Sequence, residues 1–308
     1  MKLKSKIFRA GGYAARQLKL PRYFKIKDDD RPTFPYKMVF MSGKSGLAYL
    51  NACLVSIYHT WDQLPEIVVI SDGTPLSFFD SEMIDWPRKI DVILWEEAAA
   101  HFRDKGNTDL CQYAQNIVYG RKFISLLYMA SKFPILYCDT DVLWFAKPEL
   151  PEMPEMRGDA PFIKMGVDVG KGFYTEEILL QLEEEKCFAN APFNSGLMYL
   201  YGDFSSYPKW PELCRYLSGH KTRIPGVEFS EQTAFAILNN HFNGQSWWKP
   251  TEILIKTDDE YGLAYTRKHF PNIMARHYVH TKPTAFWRDF IYMALGKLGK
   301  PVPKSLPA

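Results

Sequence analysis

Residues 132–148 read KFPILYCDTDVLWFAKP, and this stretch restricts the fold of the chain more than any other. Phe133 to Tyr137 are apolar, and Val142, Leu143 and Trp144 are apolar again, so both runs belong in an interior. Asp139 and Asp141 stand between them, where a carboxylate is costly to bury unless something compensates it. A strand whose carboxyl end opens into a polar crevice meets both demands. In extended backbone, residues 139 and 141 share a face, and a slight turn brings both onto one hard cation. Such a cation offsets their mutual repulsion and in turn holds diphosphate oxygens. Taken alone, Asp-Thr-Asp is equally the composition of a turn or a cap.

The surrounding pattern puts this strand in an α/β fold. Before it, GRKFISLLYMASKF has helical spacing at Phe123, Leu126, Leu127, Met129 and Ala130, and Pro134 separates helix from strand. Upstream, YKMVFMSG, EIVVISDG (ending at Asp72 and Gly73) and KIDVILWE read as strands, with LAYLNACLVSIYHTW as a helix after the first. Downstream, EEILLQLEEEK reads as a helix with an acidic face and APFNSGLMYL as a strand. SEQTAFAILNN reads as a helix capped by Ser230. Strands linked by helices predict a mixed, mostly parallel sheet flanked by helices, with ligand loops at the strands' carboxyl ends.

The 308 residues, 46% of them hydrophobic, suffice for one sizeable core, and we expect a single catalytic domain over residues 31–308. Residues 1–30 form a basic extension: Lys2, Lys4, Lys6, Arg9, Arg16, Lys19, Arg22, Lys25 and Lys27 all precede the first acid, Asp28. It reads either as a solvated tail or as a peripheral membrane contact through residues 1–27, since basic and apolar side chains together suit an anionic lipid surface. No run approaches membrane-spanning length. With 38 basic against 35 acidic residues the chain lacks the excess of a nucleic-acid binder. Its five cysteines, at 53, 111, 138, 187 and 214, are dispersed, neither a zinc pattern nor a secreted scaffold, which suggests a reducing, cytoplasmic setting.

Taken together, ILYCDTDVLWF, PFNSGLMYL and HYVHTKP resemble the A-type glycosyltransferases, nucleotide-sugar enzymes, and in particular the retaining glycosyltransferase family 8 with its glycogenin-like and bacterial galactosyltransferase-like members. The likeness runs discontinuously from about Val39 to Pro283. It implies that Asp139, Asp141 and His277 chelate Mn²⁺ or Mg²⁺, and that this ion neutralises a nucleoside diphosphate leaving group, UDP being the commonest among such enzymes. It places Lys282 on the phosphates, although the interval from His277 is one residue short and His280, an extra polar contact or an exposed residue, stands where a glycine is usual. In VYGRKF it gives Arg121 to the donor sugar or leaving group, while Lys122 reads as a solvated neighbour. Asn194 of FNSG implies a hydrogen bond to the sugar hydroxyls. Glu231 would fix further hydroxyls and Gln232 face the anomeric centre, with Thr233 departing from a frequent second acid. The nucleobase and ribose would pack on the first strand and Tyr49, in a loop that lacks the usual acid.

The acceptor is left open between a glycan, a lipid-linked glycan, a protein and a small molecule. Trp247, Trp248 and Trp287 read equally as stacking surfaces and as core. Other chemistries find less support. SGKSG would need glycine at position 38, where the chain has Met38, to be a phosphate loop, and neither Gly-x-Ser-x-Gly nor His-Glu-x-x-His occurs. The competitors that remain are a sugar nucleotidyltransferase and a noncatalytic carbohydrate- or protein-binding relative.

Overall fold

Short apolar runs become central strands here because the sheet is covered on both sides, so both faces of each strand are buried. The computed structural model describes residues 21, 26, 30–149, 160–167, 182–183, 193–219, 229–243, 247–248, 253–255, 273–278 and 283–294. Strands β1 (Lys37–Ser42), β2 (Ile67–Ser71) and β3 (Ile90–Leu94) run parallel to β4 (Ile135–Cys138). With β6 (Phe162–Val167), β7 (Phe193–Tyr201) and β8 (Trp247–Trp248) they form a seven-stranded sheet of order β3-β2-β1-β4-β7-β6-β8. Only β7 is reversed, being antiparallel to both neighbours, β4 and β6. The fold is the expected mixed, mostly parallel α/β arrangement.

Alternation along each strand divides the core into two layers. Val39, Val68, Ile70, Tyr137 and Met198 point to one side, where α3 (Trp95–Asp104), α4 (Thr108–Asn116), α5 (Val118–Ala130) and α7 (Ser230–Asn243) pack. Met38, Phe40, Val69, Leu136 and Leu197 point to the other, against α1 (Leu47–Thr60) and α8 (Pro283–Ala294). Two further helices, α2 (Leu76–Glu82) and α6 (Trp210–Ser218), complete the α-helices of the described residues. No described helix is long and apolar enough to cross a membrane. The described cysteines, 53, 111, 138 and 214, are buried free thiols.

Two sequence expectations need correction. ILYCDTDVLWF is not one strand: it breaks at Asp139–Asp141, and β5 (Val142–Trp144) joins a separate three-stranded sheet of order β5-β10-β9, with β9 (Ile253–Ile255) and β10 (Ala275–His277). The polar residues form the corner because the two apolar runs are buried in different ladders. Ser230 lies inside α7 as its first residue, and its hydroxyl shares a 2.6 Å hydrogen bond with Tyr113 OH. Of the expected helix over 176–186, only Leu182 and Glu183 are described. These two form a turn, with Glu183 at φ 53°. The rest of that segment, most of the basic extension, Cys187, His280 and Lys282 fall outside the described residues.

Candidate active site

Two backbone registers bring three remote side chains together. In the small sheet, His277 on β10 pairs with Val142 on β5, and Tyr278 N donates to the Asp141 carbonyl at 3.0 Å. In the large sheet, Cys138 pairs with Leu197, and Asp139 N donates to the Gly196 carbonyl at 2.7 Å. The corner residues therefore face His277 from two sides. His277 Nε2 lies 3.1 Å from Asp141 Oδ1 and 3.5 Å from Asp139 Oδ2. One ligand atom from each of the three residues falls within 4.8 Å of those of the other two.

This donor set fits a divalent cation that accepts oxygen and imidazole ligands, as Mn²⁺ and Mg²⁺ do. Charge argues the same way: three carboxylates, Asp139, Asp141 and Glu231, converge on one lysine and one imidazole. His277 is almost wholly buried, which alone lowers its pKa, yet Asp141 and Asp139 outweigh burial and raise it above the ordinary histidine value. Burial likewise pushes Asp139 up, but Lys122, His277 and the Tyr137 hydroxyl hold it below the usual carboxylate range.

Gly196 makes the close approach possible. A Cβ there would stand 2.1 Å from His277 Cε1 and 2.9 Å from Asn194 Oδ1. The irregularity between Met165 and Gly166 serves the same end. Met165 pairs with Met198 but Gly166 with Asn194, so Ser195 to Leu197 leave the ladder with β6 and bulge beside the site. Asn194 Oδ1 closes the bulge by accepting from Gly196 N at 2.8 Å. The start of α7 pins it from the other side: Gln232 Oε1 accepts from Ser195 N at 3.2 Å, and Glu231 Oε2 from Ser195 Oγ at 3.1 Å.

Lys122 is the residue that sequence reasoning missed. It is 6% exposed, and its Nζ lies 2.8 Å from Glu231 Oε1 and 3.5 Å from Asp139 Oδ1. The same ammonium donates to the Ser195 carbonyl at 3.1 Å and to Ser195 Oγ at 3.2 Å. It also sits 4.7 Å from the centre of the Tyr137 ring, whose hydroxyl donates to Asp139 Oδ1. Burial disfavours the charged lysine, but Asp139 and Glu231 more than compensate, and its pKa is raised. Glu231 is raised too, because burial outweighs Lys122. A solvated reading of Lys122 is thus corrected. Its place on α5, in helical step with buried Leu126, Met129 and Ala130, is the signal that would have found it.

Other expected residues lie elsewhere. Arg121 donates to the Asp72 carbonyl at the end of β2 and to the Ala114 carbonyl at 3.3 Å, and stacks over Trp95 at 4.8 Å. The Asp72 carboxylate in turn lies over Gly43, where a Cβ would come within 2.0 Å of it. Tyr49 is 5% exposed, its ring packed against Phe286 at 4.9 Å and Trp287 at 5.4 Å. This corrects its assignment to a nucleobase, because so little of the ring is open. Trp287 is fully buried and belongs to the core, while Trp247 and Trp248 form β8. Thr233 Oγ1 donates to the Phe229 carbonyl at 2.7 Å, a local helix-start bond.

No protein-family model matches the chain, and no curated protein does. Among solved structures, the chain is similar to mouse xyloside xylosyltransferase 1 in its apo form, at 12% identity over 79% of this chain and 97% of that one, with a TM-score of 0.48. It is similar also to an active-site mutant of LgtC, at 16% identity over 87% of this chain and 98% of that one, with a TM-score of 0.45. A third is the apo form of the glycosyltransferase GlyE of Streptococcus pneumoniae, at 13% identity over 88% and 66% of the two chains, with a TM-score of 0.43.

Proposed function

We propose that this chain is a divalent-metal-dependent glycosyltransferase of the A-type fold, moving a sugar from a nucleotide-sugar donor, UDP-linked, to an acceptor with retention at the anomeric carbon. The observation that carries this reading is the convergence of Asp139, Asp141 and His277, remote in sequence, beside the Asn194–Gly196 bulge and the start of α7. Two carboxylates and an imidazole hold Mn²⁺ or Mg²⁺, which when bound neutralises charge on the departing diphosphate. Lys282, on the segment following β10, adds a phosphate contact, with His280 nearby.

The chain's own groups orient the sugar. Asn194 Oδ1 is engaged by Gly196 N, which turns its amide N–H groups to the sugar hydroxyls. Gln232, fixed by Ser195 N, faces the anomeric centre, where positive character develops as the diphosphate leaves. Arg121, held by the Asp72 carbonyl, shapes the donor cleft.

The test is to incubate the purified chain with UDP- and GDP-sugars, Mn²⁺ or Mg²⁺ and a panel of acceptors, to follow release of intact nucleoside diphosphate, and to determine product linkage by nuclear magnetic resonance. An α-linked product from an α-linked donor is expected. An inverted linkage removes the retaining assignment, and pyrophosphate release from a nucleoside triphosphate plus sugar phosphate makes the chain a nucleotidyltransferase.

A further inference from the structure

Lys122 ties three elements beside the site together through one atom, and this suggests what Glu231 is for. Its Nζ reaches Asp139 at the end of β4, the carbonyl and hydroxyl of Ser195 in the β7 bulge, and Glu231 at the start of α7. Both oxygens of Glu231 are engaged, Oε1 by Lys122 and Oε2 by Ser195 Oγ, and the residue is 2% exposed. Asp139 is divided between its two oxygens. Oδ1 faces Lys122 and the Tyr137 hydroxyl, while Oδ2 is the one turned to His277.

We infer that Lys122 and Glu231 form a buried ionic strut that fixes Asp139 and the Ser195 bulge relative to each other, so that Glu231 is a positioning residue and forms no covalent bond to the donor sugar. The inference rests on the transferase reading above and deepens it. A nucleophile must present a carboxylate oxygen along the axis of the departing phosphate, with room for the carbon to approach. Neither Glu231 oxygen is open in that sense. The strut instead leaves Asp139 one oxygen, Oδ2, for a cation, and holds the backbone that carries Asn194 and receives Gln232. Errors of about 1 Å in such a frame are enough to cost about a hundredfold in rate.

A double-mutant cycle tests it: Lys122→Met, Glu231→Met, and both together, with Glu231→Gln as a milder single change. Either methionine alone leaves a buried charge without its partner, whereas the pair replaces the strut with apolar groups of similar length. We expect kcat to fall about a hundredfold in each single methionine variant, with donor KM changed less than about threefold. The double variant should recover at least about tenfold over the worse single variant. A carboxylate that attacks the sugar cannot be rescued by changing its neighbour, so a double variant no more active than Glu231→Met overturns the inference. So does a glycosyl-enzyme adduct at Glu231 in the mass spectrum of wild-type protein quenched during turnover.

Hydrogen exchange over residues 135–141 and 193–201 reads the strut without turnover. Faster exchange in both segments of Lys122→Met, restored in the double variant, is expected, and unchanged exchange overturns it. A wild-type chain that turns over no nucleotide sugar ends the transferase reading, and the exchange cycle still decides the strut.

Discussion

Gly196 ties the chemistry of the site to a single missing methyl group. The space its side chain would occupy is filled by the His277 ring at 2.1 Å and by Asn194 Oδ1. Gly196→Ala should therefore displace the imidazole, destabilise the fold by about 1–3 kcal/mol and weaken Mn²⁺ binding, both read by calorimetry on the folded variant. Asp141→Ala and Gln232→Ala should separate two duties. Loss of Asp141 should reduce Mn²⁺-dependent UDP binding by at least about tenfold, as expected for a cation ligand. Loss of Gln232 should leave UDP binding within about threefold and cut turnover by about a hundredfold. Calorimetric titration beside a turnover assay checks both, and full turnover in Gln232→Ala would remove it from the reaction. The grouping of the two aspartates was legible because they interrupt an apolar run, whereas His277, Asn194 and Gln232 were singled out only by the family resemblance of their motifs. Lys122 was not, because a lysine beside an arginine reads as solvated until the helix face it occupies is known to be interior.

At the level of elements, strands were easier to read than their partners. The runs at β1, β2 and β4 are uniformly apolar and short, and a covered parallel sheet leaves little else for them to be. The break at Asp139–Asp141 was not legible, since pairing of Val142–Trp144 with Ala275–His277 is a contact across more than a hundred residues, invisible to local pattern. Helices α3 and α4 were also missed. Their apolar positions are spaced among polar and charged residues, and their starts are marked only by Glu97, which accepts from Leu94 N at 3.4 Å, and by Asn107, whose side chain accepts from Leu110 N at 3.2 Å. The α4–α5 junction makes a sharp prediction. A Cβ at Gly120 would lie 2.5 Å from the Tyr113 carbonyl oxygen, a backbone atom that cannot rotate away. Alanine ordinarily gains about 1 kcal/mol over glycine inside a helix. Here Gly120→Ala should instead lose about 1–2 kcal/mol in urea unfolding, because the two helices must separate.

Across the whole molecule, α8 is the element that locks the small sheet to the large one. Asp289 on α8 is fully buried and accepts from Arg276 NH1 at 3.2 Å, Tyr278 OH at 2.7 Å and Arg288 Nε at 2.9 Å. Arg276 and Tyr278 flank His277, so the helix anchors the strand that carries a cation ligand. Asp289→Asn should cost about 3 kcal/mol of unfolding free energy, since it removes the charged partner from the buried Arg276–Asp289 pair. Chemical denaturation of the variant checks this, and a loss below about 1 kcal/mol would mean that packing alone seats the helix. The corner at Asp139–Asp141 carries a different consequence. Asp139 follows β4 of the large sheet, whereas Asp141 precedes β5 and His277 ends the central strand β10 of the small one, so any ion shared by the three is a crosslink between two β-layers as well as a reagent. Its binding energy must then appear in the melting curve. By linkage, Mn²⁺ at about a hundred times its dissociation constant adds about 2.7 kcal/mol to the folded state, so the protein's heat resistance should serve as a gauge of the metal available to it.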